Sequence, residues 1–120
     1  MPKLLVIDDE FGVAEILESL LLDEGHEVMT AVNGKQALER LAQSVPDVVF
    51  VDFMMPVLDG PGLIQAMRAE PAWAAIPVIL MSSLPEDAVS TPGAGYTAFL
   101  RKPFRIATVL ATLHQVLRSR

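Results

Sequence analysis

The chain has 120 residues, 52% of them hydrophobic and 20% charged, with a formal net charge of −6 and no cysteine. A chain of this length builds one core, so a single domain over residues 1–120 is expected, with no output domain among them; the lack of cysteine excludes a disulfide framework or a thiolate metal site and makes a reducing, cytoplasmic setting the default. Apolar runs of about six to eight residues cannot span a bilayer, and the four apolar residues after Lys3 run straight into two aspartates, unlike a signal peptide.

Leu4-Leu5-Val6-Ile7 is a short continuous apolar run, the pattern of a strand buried on both faces, and it stops at Asp8-Asp9-Glu10. Val13, Ile16, Leu17, Leu20 and Leu21 then recur at helical spacing, with Gly25 as the stop. Glu27 to Val32 alternates polar and apolar residues, as an exposed edge strand does. Asn33-Gly34 opens a second helix carrying Ala37, Leu38, Leu41 and Ala42, closed by Pro46. Val48-Val49-Phe50-Val51 is a third strand ending in Asp52. Met55-Pro56 starts a loop, and Pro61 stands in the first turn of a third helix with Leu63, Ile64 and Met67 on its inward face. Pro71 and Pro77 bracket the connection to a fourth strand, Val78 to Met81, which ends at Ser82. Pro85, Pro92, Gly93 and Gly95 leave only Glu86 to Thr91 between breakers, so the fourth helix is short, irregular or absent. Thr97 to Arg101 is a fifth strand of mixed polarity that ends at Lys102. A last helix, from about Phe104 to Arg118, buries Ile106, Val109, Leu110, Leu113 and Leu117.

The charge is uneven. All 15 acids lie in the first hundred residues, whereas the last twenty hold Arg101, Lys102, Arg105, Arg118 and Arg120 and no acid. Five scattered cations on an acidic body read as a solvated helix end and give no footprint for direct nucleic-acid contact.

Strands alternating with helices imply an α/β fold, a doubly wound five-stranded parallel sheet with right-handed crossovers. The two mixed strands, second and fifth, belong at the edges, which is consistent with the order 2-1-3-4-5. In such sheets the functional groups gather outside the carboxyl ends of the strands. Asp8, Asp9, Asp52, Ser82 and Lys102 would all converge there.

Three carboxylates gathered together repel unless a cation sits among them. All-oxygen ligands favour Mg²⁺, with Mn²⁺ as a second possibility, and magnesium prefers one or two carboxylates plus a phosphate. A carboxylate is also a competent nucleophile toward a phosphoryl group, and Asp52 is the candidate. Lys102 can pair with Asp52 and then with a phosphoryl oxygen, and Ser82 supplies a hydroxyl donor. The alternative for Asp9 or Asp52 taken singly is an ordinary helix N-cap. His26 and His114, far apart in the chain, read as surface histidines, and Met54, Met55 and Met67 as packing residues.

Val6-Ile7-Asp8-Asp9-Glu10, Val51-Asp52-Phe53-Met54-Met55-Pro56, Leu58-Asp59-Gly60, Ser82-Ser83 and Lys102-Pro103-Phe104 together resemble the receiver domain of two-component response regulators. The resemblance implies a flavodoxin-like fold in which Asp52 accepts a phosphoryl group from a histidine kinase or phosphotransfer protein. It implies that Asp9, Asp52 and the main-chain carbonyl of Met54 coordinate Mg²⁺, with Asp8 helping through water, and that the Lys102-Pro103 bond is cis. Ser82 and Phe99 would be the switch pair. Phe99 stands where a tyrosine is frequent; it can fill a vacated pocket but has no hydroxyl to bond. A downstream protein target, or a homodimer partner, would meet the face formed by helix four, strand five and helix five.

Tyr96 replaces a usual alanine, and the stretch between Ser82 and Phe99 is about two residues short of the family pattern. One expectation is that residues 84–95 are mobile and order on phosphorylation or partner binding; the alternative is a compact shortened loop that never changes. Apolar Met54 and Leu84 flank the expected path of a hydrolytic water, so self-dephosphorylation should be slow. A magnesium-dependent aspartyl-phosphate hydrolase would need a second aspartate where Met54 stands. A receiver-like scaffold that only binds partners would be expected to have lost an acid or the lysine, and none is lost here.

Overall fold

The computed structural model describes residues 2–90 and 93–119; Thr91 and Pro92 of the breaker-rich stretch and Arg120 of the basic end lie outside the described residues. Strands β1 (Lys3–Ile7), β2 (Glu27–Ala31), β3 (Val48–Asp52), β4 (Val78–Ser82) and β5 (Ala98–Arg101) alternate with helices α1 (Phe11–Asp23), α2 (Gly34–Gln43), α3 (Gly60–Ala69), α4 (Glu86–Val89) and α5 (Ile106–Ser119). Every strand pairing is parallel and the order is β2-β1-β3-β4-β5, the flavodoxin-like arrangement, with the two mixed strands at the edges.

Successive side chains leave a strand on opposite faces, and both faces of this sheet are roofed by helices. Leu5, Ile7, Val49, Val51, Val78 and Leu80 join Ala37, Leu41, Leu63, Ile64, Met67 and Val89 in a core under α2, α3 and α4. Their neighbours Leu4, Val6, Val48, Phe50, Ile79 and Met81 join Leu17, Leu21, Val109, Leu113 and Val116 in a second core under α1 and α5. Each fully buried aliphatic side chain contributes about 1.5–3 kcal/mol. A carboxylate within these runs would forfeit that and add its own desolvation cost, so the acids stand only where the runs end.

Caps set the helix starts. Asn33 Oδ1 accepts the Gln36 amide at 2.8 Å while Gln36 Oε1 accepts the Val32 amide at 2.9 Å, a reciprocal pair that starts α2. Asp59 Oδ1 accepts the Gly62 amide at 2.8 Å and starts α3. The first residue of α3, Gly60, lies against the end of β3: a Cβ there would stand 2.6 Å from the Asp52 carbonyl oxygen and 3.0 Å from the Phe53 Cα. Only glycine lets α3 approach this closely.

Some expectations about facing are corrected. Ile106 is 60% exposed, because it opens α5 beyond the strand ends; the inward residues are Val109, Leu113 and Val116, with Leu110 and Leu117 half-buried. Ile16 is 64% exposed on the flank of the α1 stripe formed by Ala14, Leu17 and Leu21. Met54 is 68% exposed and packs in neither core, unlike Met55 and Met67. His26 is half-buried, with Nδ1 sequestered and no hydrogen-bond partner for it among the described residues. Burial lowers its pKa, and His114, distant in sequence, lowers it further across space.

The shortened fourth helix is present as four residues, followed by Gly93 and Gly95 at φ +78° and +79°. Arg68 of α3 clasps the end of this stretch. Its Nε and Nη2 donate to the Gly95 carbonyl at 3.1 and 2.7 Å, and Nη1 donates to the carbonyls of Ala74 and Ile76 at 3.0 and 2.7 Å. Tyr96 donates its hydroxyl to Glu86 Oε2 at 2.7 Å, tying α4 to the start of β5.

Candidate functional site

The sheet register brings the strand ends together. Ile7 lies opposite Val51 and Asp52 opposite Met81, so Asp8, Asp52 and Ser82 follow one another across adjacent strands. The Lys102 amide donates to the Ser82 carbonyl at 2.7 Å, which brings the lysine to the same edge, and the Lys102-Pro103 peptide is cis. A cleft of about 190 Å³ results, lined by Asp9, Glu10, Asp52, Met54, Ser82, Ser83 and Lys102.

Lys102 Nζ is the centre of this arrangement. It donates to Asp8 Oδ2 at 2.7 Å and Glu10 Oε1 at 2.9 Å, and lies 3.1 Å from Asp52 Oδ1. Asp8 is fully buried and Asp52 nearly so. Burial alone would lower the lysine's pKa, but its hydrogen bonds to Asp8, Glu10 and Asp52 outweigh it and hold the ammonium charged well above the usual lysine range. Asp52 moves the other way: burial, then the neighbouring Asp8 carboxylate, push its pKa from 3.8 up to about 6 against the pull of Lys102. At pH 7 it remains mostly ionised, a carboxylate under strain and available to an electrophile.

The N-cap alternative fails for both acids. The cap position of α1 belongs to Glu10, which makes no side-chain cap bond, and that of α3 belongs to Asp59. Asp8 Oδ1 instead accepts the Glu10 amide at 2.9 Å, leaving Oδ2 for the lysine.

Carboxylate oxygens of Asp8, Glu10 and Asp52 lie within 4.8 Å of one another, an acidic cluster able to hold a metal ion. Such a hard, all-oxygen donor set suits a divalent cation of the magnesium type, which would add positive charge beside an Asp52 whose pKa is raised by burial first and by Asp8 second. Asp9, exposed, and Met54 reach the cleft from its rim. The Ser82 hydroxyl, buried, accepts the Leu84 amide at 3.0 Å. Phe99 does not line this cleft; it is half-buried on the α2–α3 side, 6.5 Å from the Tyr96 ring. Glu10 escaped notice as a site residue in the sequence, because nothing in its spacing marks a side chain that folds back onto a lysine 92 residues away.

A doubly wound sheet whose carboxyl edge carries an acid cluster, a lysine and a hydroxyl has the build of a signalling receiver. The chain belongs to the family of response regulator receiver domains, whose pattern matches residues 4–114. It is 38% identical over 119 residues to the transcriptional regulatory protein PrrA of Mycobacterium tuberculosis, covering 99% of this chain and 51% of that protein. It is also 38% identical over 118 residues to the probable transcriptional regulator ycf27 of Porphyra purpurea, covering 97% of this chain and 47% of the other. The chain thus spans about half the length of these curated relatives. Among solved structures it superimposes on the chemotaxis response regulator CheY4 of Vibrio cholerae with TM-score 0.91 and 33% identity, over 98% of this chain and 99% of that one. The receiver domain of a signal transduction histidine kinase from Syntrophus aciditrophicus gives TM-score 0.90 and 28% identity, over 99% and 92% of the two chains. The chain is a regulatory module of phosphorelay signalling, and receiver domains of this family work between histidine kinases and downstream effectors. Among the described residues no helix is long and apolar enough to cross a membrane.

Proposed function

We propose that Asp52 is the phosphoryl acceptor, that the chain promotes both the loading and the loss of that group, and that it does so in the cytoplasm. The observation that carries this is the convergence of a buried, ionised Asp52 with Lys102 3.1 Å away at an edge shared with Asp8 and Ser82. An Asp52 oxygen attacks the phosphorus of a phosphohistidine on the donor kinase or phosphotransfer protein. An acyl O–P bond forms, the P–N bond breaks, and its electron pair leaves on the imidazole nitrogen, which takes a proton from solvent. Lys102 and the Ser82 hydroxyl bind the equatorial oxygens. Hydrolysis reverses the loading at phosphorus: water attacks, the O–P bond breaks, and the pair returns to the carboxylate.

Asp9, Asp52 and the Met54 carbonyl, with Asp8 through water, would hold Mg²⁺ or Mn²⁺. When bound, the ion draws charge from the transferring group and relieves carboxylate crowding. The exposed apolar side chain of Met54 lines the cleft, and Leu84 follows two residues after Ser82, an arrangement that supports a slow hydrolysis.

Loading would then move Ser82 toward the new oxygen and let Phe99 shift inward, altering the face of α4, β5 and α5 that a target protein or a second copy would read. Residues 84–95 are the stretch expected to order in response. Incubation with acetyl phosphate and Mg²⁺ tests the reading. One phosphoryl mass increment, located on Asp52 and absent from Asp52→Asn, is the expected result. Phosphate release without an adduct would replace the switch by a hydrolase, and an inert chain would leave only a binding scaffold.

A further inference from the structure

An ammonium has three N–H donors, and those of Lys102 face three carboxylates, Asp8 at 2.7 Å, Glu10 at 2.9 Å and Asp52 at 3.1 Å. All three carboxylates hold the ammonium before any phosphoryl group arrives, Asp8 and Glu10 by hydrogen bonds and Asp52 by an ion pair. To bind a phosphoryl oxygen it must let one partner go, and the three are unequal. Asp8 is 0% exposed, and its second oxygen is already engaged by the Glu10 amide. Asp52 keeps its place as nucleophile until the transfer itself, and its contact with Lys102 passes to the phosphoryl group only then. The Glu10 side chain is 62% exposed, so water replaces its bond at small cost. It also has somewhere to go. Glu10 and Lys102 border a groove of about 450 Å³ whose other walls are Val13, Ile16, Pro103 and Phe104.

We propose that Glu10 is a positioning residue that competes with the incoming phosphoryl group for Lys102. In the resting protein it occupies the third donor and holds the ammonium over the acid cluster. Capture of a donor requires Glu10 to swing away into the solvent beside the groove. The competition raises the concentration of small donor needed for loading more than it alters the maximal rate, because Glu10 has left before the group transfers. This rests on the reading of Asp52 as acceptor.

The test compares wild type with Glu10→Gln, an exposed and nearly isosteric change, using acetyl phosphate at saturating Mg²⁺. The half-saturating concentration of acetyl phosphate should fall roughly 2- to 5-fold, the span of an exposed ion pair, and should change more than the maximal rate does. Calorimetric Mg²⁺ affinity without donor should change by less than the half-saturating concentration does, since Glu10 contributes only one charge near the acid cluster. The ammonium nitrogen resonance of Lys102 should differ between the two resting proteins and coincide once both carry beryllofluoride. An unchanged or higher half-saturation overturns the proposal. So does a loss of Mg²⁺ affinity as large as the gain in donor affinity, which would make Glu10 a metal ligand, or a Lys102 difference that persists with beryllofluoride, which would mean that Glu10 never leaves. Failure of wild type itself to form an adduct would instead overturn the acceptor reading.

Discussion

Replacing Asp52 by asparagine removes a carboxylate whose ionisation works against the fold. Its pKa rises from 3.8 to about 6 through burial and the nearby Asp8, so the native state binds its proton more tightly than the unfolded chain does. A raised carboxylate pKa means that stability from this group is full below about pH 4 and is lost as pH rises through about 6. At about 1.4 kcal/mol per unit, the ionised carboxylate costs roughly 3 kcal/mol at pH 7 to 8 without metal. An asparagine side chain at this position mimics the protonated acid. The Asp52→Asn variant should therefore be more stable than wild type by roughly 3 kcal/mol at pH 8 in chelator, which raises Tm by about 12 °C for a chain of this length. The difference should shrink to nothing by about pH 4, where both forms are neutral at this position. Excess Mg²⁺ should recover roughly 2 to 3 kcal/mol for wild type if it binds there, and much less for the variant. Urea unfolding at several pH values, with and without Mg²⁺, measures all of this. A variant less stable than wild type at pH 8 in chelator, or a gap that does not change between pH 8 and pH 4, would refute the reasoning.

Three further outcomes are expected. Arg68→Ala leaves the carbonyls of Ala74, Ile76 and Gly95 without their guanidinium donors and should cost about 2 kcal/mol in urea unfolding, with faster amide exchange around Gly95; an unchanged exchange pattern would show that the clasp holds nothing. Val57 is held at φ +73° in a tight turn closed by the Leu58 amide on the Pro56 carbonyl at 2.8 Å, so Val57→Gly should stabilise by about 1 kcal/mol, and a loss of stability would contradict the strain. Gly60→Ala places a methyl group 2.6 Å from the Asp52 carbonyl oxygen and should cost about 2 kcal/mol and slow acyl-phosphate formation, whereas wild-type stability and rate would mean that α3 can move aside.

Much of the fold was legible because its rules are local. The runs in β1, β3 and β4 are apolar at every step since both sheet faces are covered, and the mixed β2 and β5 announced themselves as edges. Helical spacing located the inward faces of α1 and α5, but neither how wide the covered stripe is nor how far along the helix it runs; Ile16 on the flank of α1 and Ile106 at the start of α5 are therefore exposed. Asp8, Asp52, Ser82 and Lys102 were legible as strand-end residues, since a parallel sheet collects its carboxyl ends on one side.

What the sequence determines by itself is the alternation of buried strands and amphipathic helices, and with it the family and the edge where the chemistry gathers. Periodicity and strand termini are properties of neighbours along the chain. Only the tertiary structure decides that Glu10 bends back to Lys102, that Asp52 is crowded enough for its pKa to climb to about 6, and that Arg68 clasps the loop before β5. These depend on distances between residues far apart in sequence, and on how much water the packed helices leave between them.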